Sequence, residues 1–321
     1  MNYHLTYLLG RTIYIPLTHR TQFFNRVTSL PESRGPGFLL PKDVVSVLQH
    51  VRSLEGCYSS LSMQSKSAME DDTQNGAKLL VSDYLPRRRR RRLCRKDCAV
   101  NVVELEQEDD DDDDDEEENL TIGTVTRAWS SLEIFEKVSS FDEVLCDGIL
   151  EEVACRLSSS SSSSSPIGNI DGIAFAGEGE PTLKPAELLY LSRKIRNSFS
   201  SLQKIRVVTN GIVHESAVEL FRSYGINSVS VALMTSDPIR YGKIMGTSAL
   251  ENNLDTRLDR EKLSCHNLVC RFIASAVKNG LDVEVTGVQR ADVDTDATTT
   301  FVIRNFGYHL PIRWRPYFSE L

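Results

Sequence analysis

Ile173-Ala-Phe-Ala-Gly-Glu-Gly-Glu-Pro-Thr-Leu183 decides the fold. An apolar run ends in Gly177-Glu178-Gly179-Glu180-Pro181. From Pro185 onward Leu188, Leu191, Ile195 and Phe199 recur at helical spacing. The segment reads as strand, glycine corner and helix. Glycine at the carboxyl end of a strand lets the backbone come close to a ligand, and carbonyls and carboxylates there attract a cation such as an amino group. The same residues also make an ordinary strand-to-helix turn. One unit later, Lys204–Thr209 reads as a strand and runs into a second corner, Thr209-Asn210-Gly211. Two polar glycine corners at the same end of neighbouring parallel strands mark a site better than either alone, because ligands of such folds gather at the carboxyl ends of the strands.

Further strand-and-helix units lie on both sides of these two. Upstream, Thr12–Thr18 predicts a strand, and Val44, Val47, Leu48, Val51 and Leu54 predict a helix beginning near Pro41. Phe141–Leu157 predicts a second helix, and the strand of the first corner spans Asp171–Ala176. Downstream, a helix carries Ala217, Leu220, Phe221 and Tyr224 and stops at Gly225, and Ile226–Leu233 is the next strand. A long polar connection leads to a helix with Leu268, Val269, Phe272, Ile273, Ala276 and Val277, which Asn279-Gly280 ends. Leu281–Val288 is a strand. A weaker helix over 298–305 precedes the last strand, Leu310–Phe318.

Six strands with intervening helices predict an α/β protein with a parallel sheet and right-handed crossovers. Strands buried on both faces of an open, doubly wound sheet read as continuous apolar runs. Here they alternate. Leu281, Val283 and Val285 oppose Asp282, Glu284 and Thr286; Val229, Val231 and Leu233 oppose Ser228, Ser230 and Ala232; Ile312 and Trp314 oppose Arg313 and Arg315. Helices on the apolar face leave a polar face, which suits the lumen of a partial (β/α)6, TIM-like barrel wide enough for a ligand.

Two stretches interrupt the pattern. Cys57–Asn119 is polar and Ser-rich, then carries six arginines, Arg87–Arg92, and eleven acids, Glu108–Glu118. Blocks of like charge repel and bury no surface, so this stretch predicts a disordered insertion. The second is Ser158–Ser165 with Pro166, a flexible linker. The expected domain is thus 1–56 joined to 120–321. The net charge of −8 falls to −3 once the two charge blocks are set aside, so the body is no general nucleic-acid binder. Nucleic acid remains conceivable only through Arg87–Arg92. No apolar stretch approaches 18 residues, which excludes a membrane-spanning helix. Seven cysteines, an odd number, point to a reducing compartment, here the cytoplasm. The first 31 residues lack acids and carry Arg11, Arg20 and Arg26, a transit-like composition, but the Thr12–Thr18 run favours a strand of the domain. An organellar or nuclear location stays an alternative.

Ala176-Gly-Glu-Gly-Glu-Pro-Thr-Leu183 resembles the Gly-Gly-Glu-Pro segment of radical S-adenosylmethionine (SAM) proteins, and Val207-Val-Thr-Asn-Gly211 resembles the end of that family's third strand. The Gly-Glu-Gly-Glu-Pro-Thr form is similar to the subgroup associated with TatD-type nucleases. The likeness spans Thr12–Phe318 apart from the insertions. It implies the partial barrel, SAM as cofactor, and a 4Fe–4S cluster that cleaves SAM to a 5′-deoxyadenosyl radical acting on a small-molecule substrate. It implies that Gly177, Glu178, Gly179 and Glu180, beside Thr209 and Asn210, hold the methionyl amino group. It also implies that Ser230 lies near the ribose, and that Val285–Gly287 and the end of the last strand lie near the adenine. One departure is chemical. The family's CxxxCxxC loop follows the first strand, whereas Thr21, Asn25 and Thr28 stand there in this chain. Iron–sulfur clusters need thiolate ligands, which none of these supplies. A SAM- or nucleoside-binding protein without a cluster, or a scaffold, is the alternative.

Other constellations are weaker. Cys94 and Cys98 form a CxxxC pair inside the insertion, with Cys57 distant. Cys146, Cys155, Cys265 and Cys270 fall on predicted helices and are expected to be buried small residues. His4, His19, His50, His214, His266 and His309 show no zinc spacing, and Cys265, His266 and Cys270 do not converge with a fourth ligand. Glu284 with Arg313 and Arg315 could meet across the lumen as an ion-pair network or as a clamp for an acidic substrate.

Overall fold

The computed structural model describes residues 4–19, 44–53, 129, 134, 143–160, 170–247, 264–310 and 312–317. The Cys57–Asn119 insertion, the CxxxC pair, the arginine run, Thr21, Asn25 and Thr28, and the serine run beyond Ser160 lie outside the described residues.

Seven strands form one sheet in the order β1 to β7. They are β1 Tyr7–Leu9, β2 Thr12–Ile15, β3 Gly172–Phe175, β4 Lys204–Thr209, β5 Ser228–Ala232, β6 Asp282–Gln289 and β7 Ile312–Pro316. β1 pairs antiparallel with β2, and every pairing from β2 to β7 is parallel. The sheet is not closed. Its order never reverses, so it lacks the switch point of a doubly wound sheet.

The helices are α1 (residues 44–53), α2 Glu143–Ser160, α3 Pro185–Ser198, α4 Ala217–Ser223, α5 Pro238–Met245, α6 Cys265–Lys278 and α7 Thr295–Phe306. Local chemistry fixes their ends. Proline opens α3 and α5, where its missing N–H costs nothing. Asp237, Ser264 and Asp294 each accept a hydrogen bond from a first-turn amide of α5, α6 and α7. Gly246, at φ 73°, closes α5 in the left-handed conformation.

Alternation along the strands sorts the residues as the sequence predicts. Ile13, Ile15, Ile173, Phe175, Ile205, Val207, Val229, Val231, Val283 and Val285 point to one face. There they pack in a single core with Ile149 and Val153 of α2, Leu188 and Ile195 of α3, Phe221 of α4, Phe272 of α6 and Val302 of α7. The first helix behaves differently. Val44, Val47 and Leu48 of α1 form a separate buried cluster with Tyr7, against Leu9 and Tyr14. Tyr7 and Tyr14 are paired across β1 and β2 on the opposite face, where their rings stack 5.2 Å apart. Helices therefore flank both faces at the β1–β2 edge, which strand alternation alone does not predict.

Three elements and one side chain differ from expectation. β1 was not foreseen; Gly10, at φ 60°, with Arg11 makes the two-residue hairpin that adds it. α5 lies in what reads as a polar connection. α2 runs through Ser160, three residues past its predicted end, because a helix already formed propagates cheaply into serine. Cys155 on α2 is exposed rather than buried, whereas Cys146 and Cys265 are buried as expected. Among the described residues no helix is long and apolar enough to cross a membrane.

Gly287 on β6 makes room for a ring from the neighbouring strand. A β-carbon there would collide with the ring of Trp314 on β7, whose indole N–H donates to Thr299 Oγ1 at 3.2 Å. Gly287→Ala is expected to destabilise by about 1–3 kcal/mol through overpacking. Shrinking the ring with Trp314→Leu should make the double substitution cost less than the two single ones together, as read from urea unfolding midpoints. Strict additivity would refute the clash.

Candidate functional site

The two glycine corners adjoin, because β3 and β4 are parallel neighbours and end at the same edge. One carboxylate joins them. Glu180 Oε1 accepts from Thr182 N at 3.1 Å, Thr182 Oγ1 at 2.8 Å and Thr209 Oγ1 at 2.8 Å, and its Oε2 accepts from Asn210 N at 2.8 Å. The residue is only 5% exposed. Burial raises its pKa above the ordinary carboxylate value, and the hydrogen bonds to Asn210, Thr209 and Thr182 oppose that rise.

Each corner is shaped for packing as well. A β-carbon on Gly177 would come within 2.7 Å of Pro16 Cβ, so glycine is needed there for the β2–β3 contact. Gly211 sits at φ 73° and faces Val231, 2.6 Å from where its β-carbon would be. Asn210 Oδ1 accepts from Ile212 N at 2.9 Å, which folds this corner back on itself. Glu178 is held differently. Arg52 of α1 grips its carboxylate with two nitrogens, tying the corner to the helix on the opposite face.

The face away from the main core is polar, as expected. Strand register sets Tyr14, Ala174, Arg206, Ser228 and Asp282 in one row, and Val208, Ser230 and Glu284 in the next. Glu284 Oε2 accepts from Ser230 Oγ at 2.8 Å and lies 3.2 Å from Arg313 Nη2 and 3.7 Å from Arg206 Nη1. Asp282 pairs with Lys204 and accepts from Ser228 Oγ at 3.3 Å. The Lys204 hydrogen bond holds the Asp282 carboxyl below its usual range. A cavity of about 370 Å³ opens on this face. Its walls come from β1 to β4 and from β7, the two ends of the sheet order.

The expected site residues divide into three groups. Gly177, Glu178, Gly179, Glu180 and Asn210 are brought together at one end of β3 and β4. Ser230 lies on the polar face, committed to Glu284. Thr209 and Val285 alternate onto the helix-covered face; Val285 is fully buried in the apolar core and Thr209 is bound to Glu180. A ligand on the polar face could therefore meet these two only through their backbone. The sequence reading missed Arg52, Lys204 and Arg206. The last two carry a legible signal, since they alternate with Ile205 and Val207 on a strand. Arg52 carries none, being 126 residues from its partner.

Among the described residues, no group of three or more histidine, cysteine and acidic side chains converges as a metal site. His266 is buried between the rings of Tyr241 and Phe301, with centroids 5.4 Å and 5.8 Å away, and burial lowers its pKa. Cys270 Sγ lies 3.8 Å from His266 Nδ1, and burial pushes its thiol pKa up to about 12, which keeps it protonated and inert. The chain matches no protein-family model and no curated protein.

Glu180→Gln is expected to destabilise the fold by about 1–3 kcal/mol, because its amide must turn an N–H toward either Asn210 N or the Thr182–Thr209 donors. The pH dependence has a definite sign. A carboxyl whose folded pKa is raised holds more protons folded than unfolded. Its contribution to stability therefore falls as pH rises from the unfolded value near 4.5 toward the folded one. The gap between wild type and Glu180→Gln in denaturant unfolding should narrow over that interval. A variant as stable as wild type at every pH would show that the carboxylate does not join the corners.

Proposed function

We propose that this protein is a radical-SAM-like partial barrel that binds SAM or a closely related adenine nucleoside at the carboxyl ends of its parallel strands, without a cluster held in that family's manner. The observation that carries the reading is the Glu180 bridge, which sets both glycine corners side by side above a polar sheet face. The consecutive strand order and the cavity walled by both ends of that order support a sheet that curls.

The residues assort into roles. Glu178 and the backbone carbonyls of the Gly177–Gly179 turn receive the ligand's amino group. Glu180 is spent on the protein and positions the corners without touching the ligand. Ser230 serves the ribose side, and the backbone of Val285–Gly287 flanks the base. A 4Fe–4S cluster does not fit the donors in the family's position, because the hydroxyls of Thr21 and Thr28 and the amide of Asn25 cannot replace thiolates. The expected compartment is the cytoplasm.

Thermal unfolding with added SAM tests the reading. Ligand at about 100 times its dissociation constant adds about 2.7 kcal/mol, a rise of several degrees in Tm. S-adenosylhomocysteine should keep most of that rise and 5′-methylthioadenosine, which lacks the amino acid, should lose much of it. Glu178→Gln should weaken SAM about tenfold while leaving methylthioadenosine unchanged. Absence of any shift with all three nucleosides overturns the binding claim. Stoichiometric iron and sulfide after anaerobic reconstitution overturns the cluster-free part alone.

A further inference from the structure

We infer that Arg52 of α1 is the specificity residue of the first glycine corner: it yields Glu178 to the ammonium of a zwitterionic α-amino acid head and takes the neighbouring carboxylate itself. The inference rests on the nucleoside reading proposed for that corner and supplies a partner for the ligand's negative end.

Position carries the inference. Arg52 Nε and Nη2 donate to Glu178 Oε2 and Oε1, one nitrogen to each oxygen. The two residues are 126 apart in sequence, so packing brings the helix to the corner. That packing lies one turn earlier on the same helix. Leu48 belongs to the buried cluster with Tyr7, Val44 and Val47, and its Cδ2 is 3.8 Å from where a β-carbon on Gly177 would stand. Residues four apart share a helix face, so Leu48 and Arg52 meet Gly177 and Glu178 in step. Leu48 fixes α1 against the corner, while the guanidinium ends a long, rotatable side chain. Exposure divides the pair: the side chain of Arg52 is 47% exposed and that of Glu178 is 17%. The acid is the inner partner and the base the outer one, which can swing without moving the helix.

Charge balance favours a zwitterion over a simple cation. An ammonium that displaces Arg52 from Glu178 leaves the guanidinium to water alone. An α-amino acid carries a carboxylate on the same carbon as its ammonium, so one ligand restores both pairings and leaves the net charge unchanged. An exposed ion pair is worth little, and opening it costs correspondingly little. The planar fork that matches the Glu178 carboxylate matches a ligand carboxylate equally well.

The test compares SAM with decarboxylated SAM, which keeps the ammonium and lacks the carboxylate, by calorimetric titration of the full chain. Wild type should bind SAM about tenfold more tightly than the decarboxylated form. Arg52→Gln should weaken SAM about tenfold without weakening decarboxylated SAM, so that the discrimination disappears. Glu178→Gln should weaken both. Methylthioadenosine, which has neither group, should bind all three proteins alike and so report an intact site, with the unliganded Tm as a second check on folding. Three results overturn the inference. SAM binding unchanged by Arg52→Gln marks a purely structural ion pair. Tightening of SAM and decarboxylated SAM together marks an arginine that merely blocks Glu178. Weakening of both together marks a displaced helix. If none of the nucleosides binds, the nucleoside reading and this inference fall together. If SAM binds and responds to Glu178→Gln but not to Arg52→Gln, this inference falls alone.

Discussion

A buried carboxylate that accepts four hydrogen bonds is the constraint on which the site depends. Glu180 is spaced by only one residue from Glu178, yet the two do opposite work. Glu178 remains near the surface in the grip of Arg52. Glu180 turns inward, caps the short 3₁₀ turn Pro181–Leu183, and reaches the next strand's corner at Thr209 and Asn210. A buried charged group is tolerated only where hydrogen bonds replace its water. Here the donors come from two corners, so the requirement for satisfaction also fixes the corners' spacing. Without that bridge the two strands would still pair, but their loops would have no reason to share one edge geometry.

The second constraint is sheet order. Sequential parallel strands joined by crossovers of one hand send their helices to the same side, which exposes the other face unless the sheet curls or something covers it. This protein covers part of that face with α1, through Val44, Val47 and Leu48 against Tyr7. The remainder is left to charged residues: Arg206, Asp282, Glu284 and Arg313. Glu284 pairs with Arg313 on the neighbouring strand β7, and the pairs Arg206–Glu284 and Lys204–Asp282 reach from β4 across β5 to β6. Among the described residues the face is thus largely polar, unlike the apolar face beneath the helices.

How much of this was legible follows from range. β4 was read to the residue, because Lys204-Ile-Arg-Val-Val-Thr209 alternates cleanly and its corner follows at once. Strand alternation also put Glu284 on one face with Arg313 and Arg315, and Glu284 meets Arg313 on the adjacent strand. What escaped was short or long. β1 is three residues, too few for a period, and its only flag is Gly10. α5 was hidden in a polar connection although Asp237-Pro238 and Gly246 mark both its ends. The placement of α1 depends on Tyr7 and Tyr14 lying on a particular face, and the Arg52–Glu178 pair spans the whole insertion. Neither leaves a local trace. An acid in a glycine turn reads as a ligand group, and only the fold reveals whether it faces solvent or a neighbouring strand.

That last distinction separates the two acids of the corner by function. A buried carboxylate that already accepts four hydrogen bonds from its own protein offers little to an incoming cation, and removing it would loosen the scaffold first. A carboxylate held by one surface guanidinium is available by exchange, because an ammonium can replace part of an exposed ion pair whose own worth is small. In the proposed reading, the chemistry of recognition therefore falls to Glu178 and the carbonyls beside it, and the geometry of recognition to Glu180. The same logic applies on the polar face, where Glu284 is shared among three donors while Asp282 serves chiefly Lys204. Where charges are matched one to one, the surface is settled. Where one carboxylate serves two guanidiniums, it ties three strands together, since Glu284 of β6 meets Arg206 of β4 and Arg313 of β7.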